Sequence, residues 1–453
     1  MITNRAHVYQ LPDVFNAAFK DLKIGGHLRQ AGIHKVAGYS CLFLFQIVFL
    51  LVFQHKNWYR LLERRERDSL PGKDAVYRFL NCPTFSWRKF LLSLSGMMVQ
   101  RTKSLTSHKR VTVFIVDDST YDRSRSKAVE LLARVHDHTT GRFIKGFRTL
   151  TLGWSDGHTF LPVDFSMLSS AKPENRYNEI NSKIDKRTLG YKRRIESIQT
   201  TPSAVFGLLE NAIKAGIHAQ YVLMDSWFTH APLLQLLHNH GLSVIGMVKA
   251  LKQRYQVGHE QLSLQQLYQR AKPNLSHKQI LCSMLVRLEC GVAAKIVFVK
   301  HRHKKREWLA VLSTDTTLSD DEIIRIYSMR WDIEPFFKTC KHALKWEKEF
   351  QGRSYDQLIA HTAIVFTRYI FLSWQARQSS DNRALGGMFY DYCDEVNDRD
   401  WADALRQIWS FVEPLLQSVQ SIDVQVLKSQ LLQWISGLPN YIKGYLPIAS
   451  CES

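Results

Sequence analysis

Val111-Thr112-Val113-Phe114-Ile115-Val116-Asp117-Asp118 begins as a compact run of β-branched and aromatic residues and ends in two adjacent carboxylates. Such a run reads as a buried strand. It also marks a change of texture along the chain. Upstream, residues 1–105 place apolar side chains at helical spacing, with almost no alternating runs. Downstream, strand candidates at Phe143–Leu152 and Thr159–Met167 are separated by turn signals at Gly141 and Ser155-Asp156-Gly157-His158. Together with Val111–Val116 they read as a three-stranded antiparallel meander.

Beyond the meander, residues 170–200 are polar and basic and read as an exposed connection. Pro202–Ala215 has a helical pattern, Tyr221–Met224 is a short buried strand ending at Asp225, Pro232–Asn239 is a helix and Ser243–Val248 a strand. Further strands are expected at Ile296–Val299 and Trp308–Leu312, joined by the basic tip His301-Arg-His-Lys-Lys-Arg306. Residues 318–350 read as helix and 355–447 as mostly helical. Strands punctuated by helices, between helical flanks, imply an α/β core with accessory helical regions.

The N-terminal helical stretch gathers Arg78, Arg88, Lys89, Arg101, Lys103, Lys109 and Arg110. A basic face laid on DNA is the functional reading; solvated charge on a structural bundle is the ordinary one. Cys41–Phe53 is almost wholly apolar, but its 13 residues fall short of the roughly 20 needed to span a bilayer. It is expected as a buried helix, and no membrane association is expected. The first residues, MITNRAHVYQLPD, have no signal-peptide apolar run.

Over the whole chain, 45% of residues are hydrophobic and 23% charged, which suits a folded protein rather than a disordered one. The 453 residues carry 61 Lys and Arg against 41 Asp and Glu, a net charge of +20. That surplus favours a polyanionic partner, because neutralising phosphates releases condensed counterions. It is more charge than a small phosphorylated substrate requires. The seven cysteines (Cys41, Cys82, Cys282, Cys290, Cys340, Cys393 and Cys451) are odd in number and form no CxxC pair. They suggest neither a disulfide framework nor a zinc ribbon, and fit a reducing, cytoplasmic setting.

Three acidic positions stand out: Asp117 or its neighbour Asp118, Asp225, and Glu334. Carboxylates at strand ends can converge at one sheet edge, and hard oxygen donors select Mg²⁺ or Mn²⁺. Two such ions clamp the attacking and leaving oxygens of an in-line phosphoryl transfer. An Asp after a strand also serves as a turn former or helix cap, so no one of these acids is informative alone. Glu334 lies in a patterned segment, Tyr327-x2-Arg330-x3-Glu334-x6-Lys341. At about 100° per residue these four side chains share roughly a 60° arc of one helix. Two cations beside a carboxylate suit a site that also holds phosphates. Pro335 disfavours a helical Glu334, so the helix is expected to start or kink there.

At these residues the chain resembles the insertion-sequence-four family of DDE transposases. Tyr-x2-Arg-x3-Glu-x6-Lys looks like its signature, Val-Asp117-Asp118-Ser-Thr like its first-aspartate motif, and Val-Leu-Met-Asp225-Ser-Trp-Phe like its second. The acids lie 108 and 109 residues apart, which is also similar. The resemblance covers residues 111–350. It implies a ribonuclease H-like catalytic core over 106–354, with a β-rich insertion at about 240–312. It implies a helical DNA-binding region at 1–105 and a helical region at 355–453 that could dimerise. Asp117, Asp225 and Glu334 would bind two Mg²⁺ or Mn²⁺ ions, and Tyr327, Arg330 and Lys341 would bind DNA. Asp117 gives the commoner Asp-x-Ser form, with Asp118 as the alternative; alternation along a strand lets one of them reach the metals.

The implied activity is metal-dependent excision of an insertion sequence at its terminal inverted repeats and strand transfer into target DNA. It would be carried out by a homodimer in the bacterial cytoplasm, at the nucleoid. Some relatives hold a flipped base on an aromatic ring, for which Trp227, Trp308 and Trp331 are candidates by type; a place in the core is the ordinary role for each. The alternatives are a catalytically silent DNA-binding descendant and a structure-selective nuclease on the same core.

Overall fold

The computed structural model describes residues 13–63, 70–107, 109–137, 139–272, 279–301, 304, 307–378 and 384–397, with residues 405, 429, 433 and 434. Helices come first: α1 (Asp13–Asp21), α2 (Ile24–Gln30), α3 (Cys41–Leu50), α4 (Trp58–Leu62), α5 (Lys73–Leu80) and α6 (Trp87–Ser104). Strands β1 (Val113–Asp122), β2 (Ala133–Asp137), β3 (Arg142–Ser155) and β4 (Phe160–Leu168) follow. Next are α7 (Leu189–Ser197), α8 (Thr201–Lys214), β5 (Tyr221–Met224), α9 (Ala231–Asn239) and β6 (Ser243–Val248). A β-rich stretch holds β7 (Arg254–Val257), β8 (Glu260–Ser263), α10 (Leu264–Arg270), β9 (Ile280–Leu288), β10 (Ala293–Lys300) and β11 (Trp308–Ser313). Then come α11 (Asp320–Ser328), a 3-10 turn at Met329–Asp332, α12 (Ile333–His342) and α13 (Tyr355–Gln378). A last helical stretch covers 385–397.

Among the described residues the eleven strands join one mixed, mostly antiparallel sheet. Its centre runs β4-β3-β1-β5-β6: β3 is antiparallel to both neighbours, while β1, β5 and β6 run parallel. Parallel neighbours need a crossover, and α9 supplies the one between β5 and β6. β11 pairs antiparallel with β6 and extends the same sheet through β10 and β9 to β7 and β8. The β-rich stretch is therefore an extension of the central sheet.

β4 is buried at all nine positions because α6, α7, α8 and α13 pack on it. The apolar run Cys41–Phe53 is buried as expected, its first ten residues forming α3 and Leu51–Phe53 the turn that follows, and α3 is held among α2, α5 and α13. No helix among the described residues is long and apolar enough to cross a membrane. Phe49 and Phe53 of this segment meet Phe371 of α13 edge-on. Fully buried Arg368 of α13 donates to the Val48 and Phe49 carbonyls, which are among the last carbonyls of α3 and lack helical partners. Glu349 neutralises Arg368 at 2.9 Å, and His361 lies 2.7 Å from the same carboxylate.

Several sequence expectations need correction. β1 does not end at Val116 but continues to Asp122, so both aspartates lie within it; β3 supplies the partner along its whole length. The meander has an additional strand, β2, on the outer part of β3. Residues 170–200 are not simply exposed: α7 buries Arg193 and Arg194 against Asp356, and Arg194 also meets Glu130. Arg88 does not face outward, because it is held by Asp164 and Glu196. Of the basic tip at 301–306, His301 and Lys304 are described, and Lys304 pairs with Glu307 at 2.9 Å. Nearly all of the expected helical region beyond 397 lies outside the described residues.

Candidate active site

The site forms where the parallel pairing of β1 ends. Val116 lies opposite Met224, so the register carried one residue further sets Asp117 beside Asp225. In-register residues of parallel strands point to one face. The two carboxylates interact, and Asp225 acts to raise the pKa of Asp117. Asp225 is held by an Asx turn in which its Oδ1 accepts the Trp227 N–H at 2.8 Å. The Asp225 carbonyl accepts the Thr229 hydroxyl at 2.7 Å.

Arg330 brings in the third acid. Its Nη1 donates to Asp117 Oδ2 and its Nη2 to Glu334 Oε1, each at 3.1 Å. Asp117 is 19% exposed and Glu334 45%, so Arg330 links an internal carboxylate to one at the mouth. Burial, then the neighbouring Asp225 and Asp118, push the Asp117 carboxyl up to about 7, against the lowering effect of Arg330. Tyr327 is buried beside this group; burial raises its hydroxyl to about 12.

Asp118 points away from Asp225 and pairs with Arg148 Nε at 2.9 Å. Arg148 also donates to Thr201 at the start of α8. Of the two adjacent aspartates, Asp117 is thus the one that joins Asp225, Arg330 and Glu334.

The four residues Tyr327, Arg330, Glu334 and Lys341 do not share one helix face. The 3-10 turn at Met329–Asp332 separates α11 from α12, leaving Pro335 within the first turn of α12, where its missing N–H costs nothing. Lys341 stands apart from the acids. Its Nζ donates to the Thr120 carbonyl at 2.6 Å and pairs with Glu347 at 3.0 Å. Thr120 lies three residues beyond Asp117, roughly 10 Å along the strand.

Trp227 and Trp331 are not core residues: they are 56% and 58% exposed, and both flank the carboxylates in sequence. The Arg330 guanidinium lies 4.9 Å from the Trp331 ring centre, and that of Arg148 lies 6.0 Å from Trp227. Trp308 instead stacks on Tyr268 in the β-rich extension, with centroids 5.0 Å apart. Sequence reading overlooked Arg148 and Glu347, the ion partners of Asp118 and Lys341; no local signal identifies either.

Among the described residues no three His, Cys, Asp or Glu side chains already stand as a ligand set. The arrangement gives the reason, since the Arg330 guanidinium bridges Asp117 and Glu334. The donor chemistry fits a hard divalent cation: three carboxylates, one of them kept from ionising mainly by burial, with its acidic neighbours adding to the effect. Glu334, half-exposed, is held to this group through Arg330.

The sequence matches two family models. The model of the DDE superfamily endonuclease matches residues 46–281, just over half of the chain, and spans Asp117 and Asp225. The transposase DDE domain model matches residues 194–370 and spans Asp225 and Glu334. No curated protein matches the chain closely enough to serve as a relative. The two overlapping models together span residues 46–370, and the chain belongs to the DDE superfamily of endonucleases and is a DDE transposase.

Proposed function

We propose that this protein is a transposase of the insertion-sequence-four type that excises an insertion sequence at its terminal inverted repeats and joins it to target DNA. Asp117, Asp225 and Glu334 are the catalytic acids and would hold two Mg²⁺ or Mn²⁺ ions, in keeping with the general use of divalent metals by DDE transposases. The observation that carries this reading is the convergence of Asp117 and Asp225 across one parallel register, with Arg330 tying in Glu334. The strand order β4-β3-β1-β5-β6, with its antiparallel and parallel halves, supports a ribonuclease H-like core over 106–354. Strands β7–β11 act as its β-rich insertion.

When bound, the metals supply Lewis acidity that activates a water or 3′-hydroxyl and stabilises the departing oxyanion. The chain's own groups do the rest. Asp117 and Asp225 are fixed by the sheet and the Asx turn, so their oxygens are preorganised. Arg330, once released by Glu334, has donors for a phosphate, with Tyr327 packed behind it. Lys341 would hold a second phosphate farther along the strand. The helices of 1–105 would recognise the element ends, through outward cations such as Arg78 and Lys89. The region 355–453 would serve the dimer, and the protein would work in the cytoplasm at the nucleoid.

The test uses labelled DNA carrying the ends of the protein's own element, with Mg²⁺ or EDTA, for wild type and Asp225→Asn. Metal-dependent nicking at the element boundary, lost in the variant, is the expected result. Full cleavage by Asp225→Asn or Glu334→Gln would overturn the site. Binding without cleavage by wild type would make the chain a silent DNA-binding relative, and cleavage without joining would make it a nuclease.

A further inference from the structure

The β2–β3 ribbon carries a surface that the catalytic reading does not use. Its strands pair Arg134 with Lys145 and His136 with Phe143, which sets all four side chains on one face. The opposite face turns Ala133 and Val135 into the core. Phe143 is 58% exposed, with the Arg134 guanidinium 4.0 Å from its ring centre. Beside them Lys145 Nζ lies 4.9 Å from the ring of Tyr177, whose backbone is anchored to Leu132. Cation–π contact holds the long basic side chains in place, which lowers the entropy lost on binding.

These cations are not neutralised from within. Among the described residues neither Arg134 nor Lys145 forms an ion pair with a carboxylate, and each lies against an aromatic ring instead. The nearby acids are engaged elsewhere: Glu179 pairs with Arg176, Glu130 with Arg194, and Asp137 caps the ribbon's own turn through Thr139 and Thr140. At the edge of the ribbon Phe143 also reaches a cavity of about 630 Å³ that lies on the opposite face, where Arg142 and Lys341 are balanced by Asp122, Asp137 and Glu347.

We propose that this ribbon is a second duplex-DNA contact, gripping the phosphate backbone away from the cleaved bond. Thr151 faces Asp117 across β1 and β3, and Lys145 and Phe143 lie six and eight residues back along β3. At about 3.4 Å per residue this is roughly 20–27 Å, or about six to eight base pairs of rise. A two-stranded ribbon is narrow enough to enter the major groove, about 12 Å wide. Exposed Arg134, half-buried Lys145 and a positive chain favour DNA over an apolar partner. The proposal rests on DNA being the substrate, and is independent of which acids perform the chemistry.

The test is fluorescence anisotropy on a random-sequence duplex of about 20 base pairs, in EDTA, between about 50 and 200 mM salt. Wild type is compared with Arg134→Ala/Lys145→Ala and with the charge-preserving Arg134→Lys/Lys145→Arg. Losing two phosphate contacts lowers the salt slope by about two. Over that fourfold salt range wild type should therefore lose about twelvefold more affinity than the alanine variant. The charge-preserving variant should restore the wild-type slope. Equal slopes for wild type and alanine variant overturn the ribbon contact while leaving DNA binding intact. A change in oligomeric state with an unchanged slope overturns it in favour of a protein–protein face. Absence of DNA binding by every form overturns the substrate reading itself. Because no cleavage is involved, failure of the catalytic assignment would leave this result untouched.

Discussion

Replacing Asp117 by Asn should make the metal-free protein more stable above neutral pH and leave it unchanged in acid. In the folded protein burial pushes the Asp117 carboxyl from the ordinary 3.8 to about 7. The sign follows from proton uptake. Between pH 4 and 7 the folded state keeps a proton that the unfolded chain has lost, so stability falls as pH rises. The contribution is complete below the unfolded value and is gone once pH exceeds about 7. Three pKa units at 1.36 kcal/mol each set this loss at about 4 kcal/mol. Asparagine does not titrate, so the difference between variant and wild type should grow by that amount from pH 4 to pH 8. The Arg330 contact is contained in the shifted value, since a protonated Asp117 forgoes it as asparagine does.

The assay is thermal unfolding of both proteins in EDTA across this range, read as the difference in Tm. Other titrating groups are common to both and cancel. The gap should open by several degrees, with its midpoint near neutrality. A divalent cation adds the complementary arm: at pH 8, Mg²⁺ should raise the Tm of wild type and raise that of Asp117→Asn much less, because a ligand stabilises only the state that binds it. A gap that does not vary with pH would refute the buried, cation-hungry carboxylate on which the site is argued.

Arg330→Ala should reduce strand cleavage by about 100-fold or more, the scale seen when one preorganised donor is removed; by removing the lowering effect on Asp117 it should also move that neutral midpoint to higher pH. Glu349→Gln leaves Arg368 buried without its anion and should cost about 3–5 kcal/mol in denaturant unfolding, whereas the double variant Glu349→Gln/Arg368→Met should recover part of it. Gly146→Ala would drive a Cβ into the Tyr121 carbonyl oxygen where the ribbon leaves the sheet, and should cost about 1–3 kcal/mol, read as a lower Tm.

The sequence discloses elements whose signal is local. Tyr221–Met224 and Ser243–Val248 are short apolar runs between turn residues, and both strands fall where expected. Cys41–Phe53 is too apolar for anything but burial and too short for a membrane. What stays hidden depends on partners far along the chain. Asp117–Asp122 reads as the polar end of a strand because the residues that pair with it, Gly146–Thr151, are not adjacent. Arg193 and Arg194 look like solvent charge until Asp356, in a distant helix, neutralises them. Asp117 and Asp118 are indistinguishable by composition; only the register with Met224 and the position of Arg148 separate them.

The same distinction explains the signature around Glu334. Spacing on an unbroken helix aligns Tyr327, Arg330, Glu334 and Lys341, and one aligned face could bring all four to one phosphate. The 3-10 turn removes that alignment and substitutes a division of labour. Arg330 falls within the turn, against the sheet, and reaches Asp117; Glu334 opens the next helix and remains half-exposed; Lys341 travels two turns farther and meets β1 at Thr120. Carboxylates brought this close repel one another unless a positive charge intervenes. In the protein alone Arg330 provides that charge. A divalent cation competing for the same oxygens would release the guanidinium at the mouth, next to exposed Trp331, where a DNA phosphate would arrive. In the proposed site, arginine and glutamate four residues apart would let one hold the other's place, and lysine farther on would hold a second phosphate without entering that exchange.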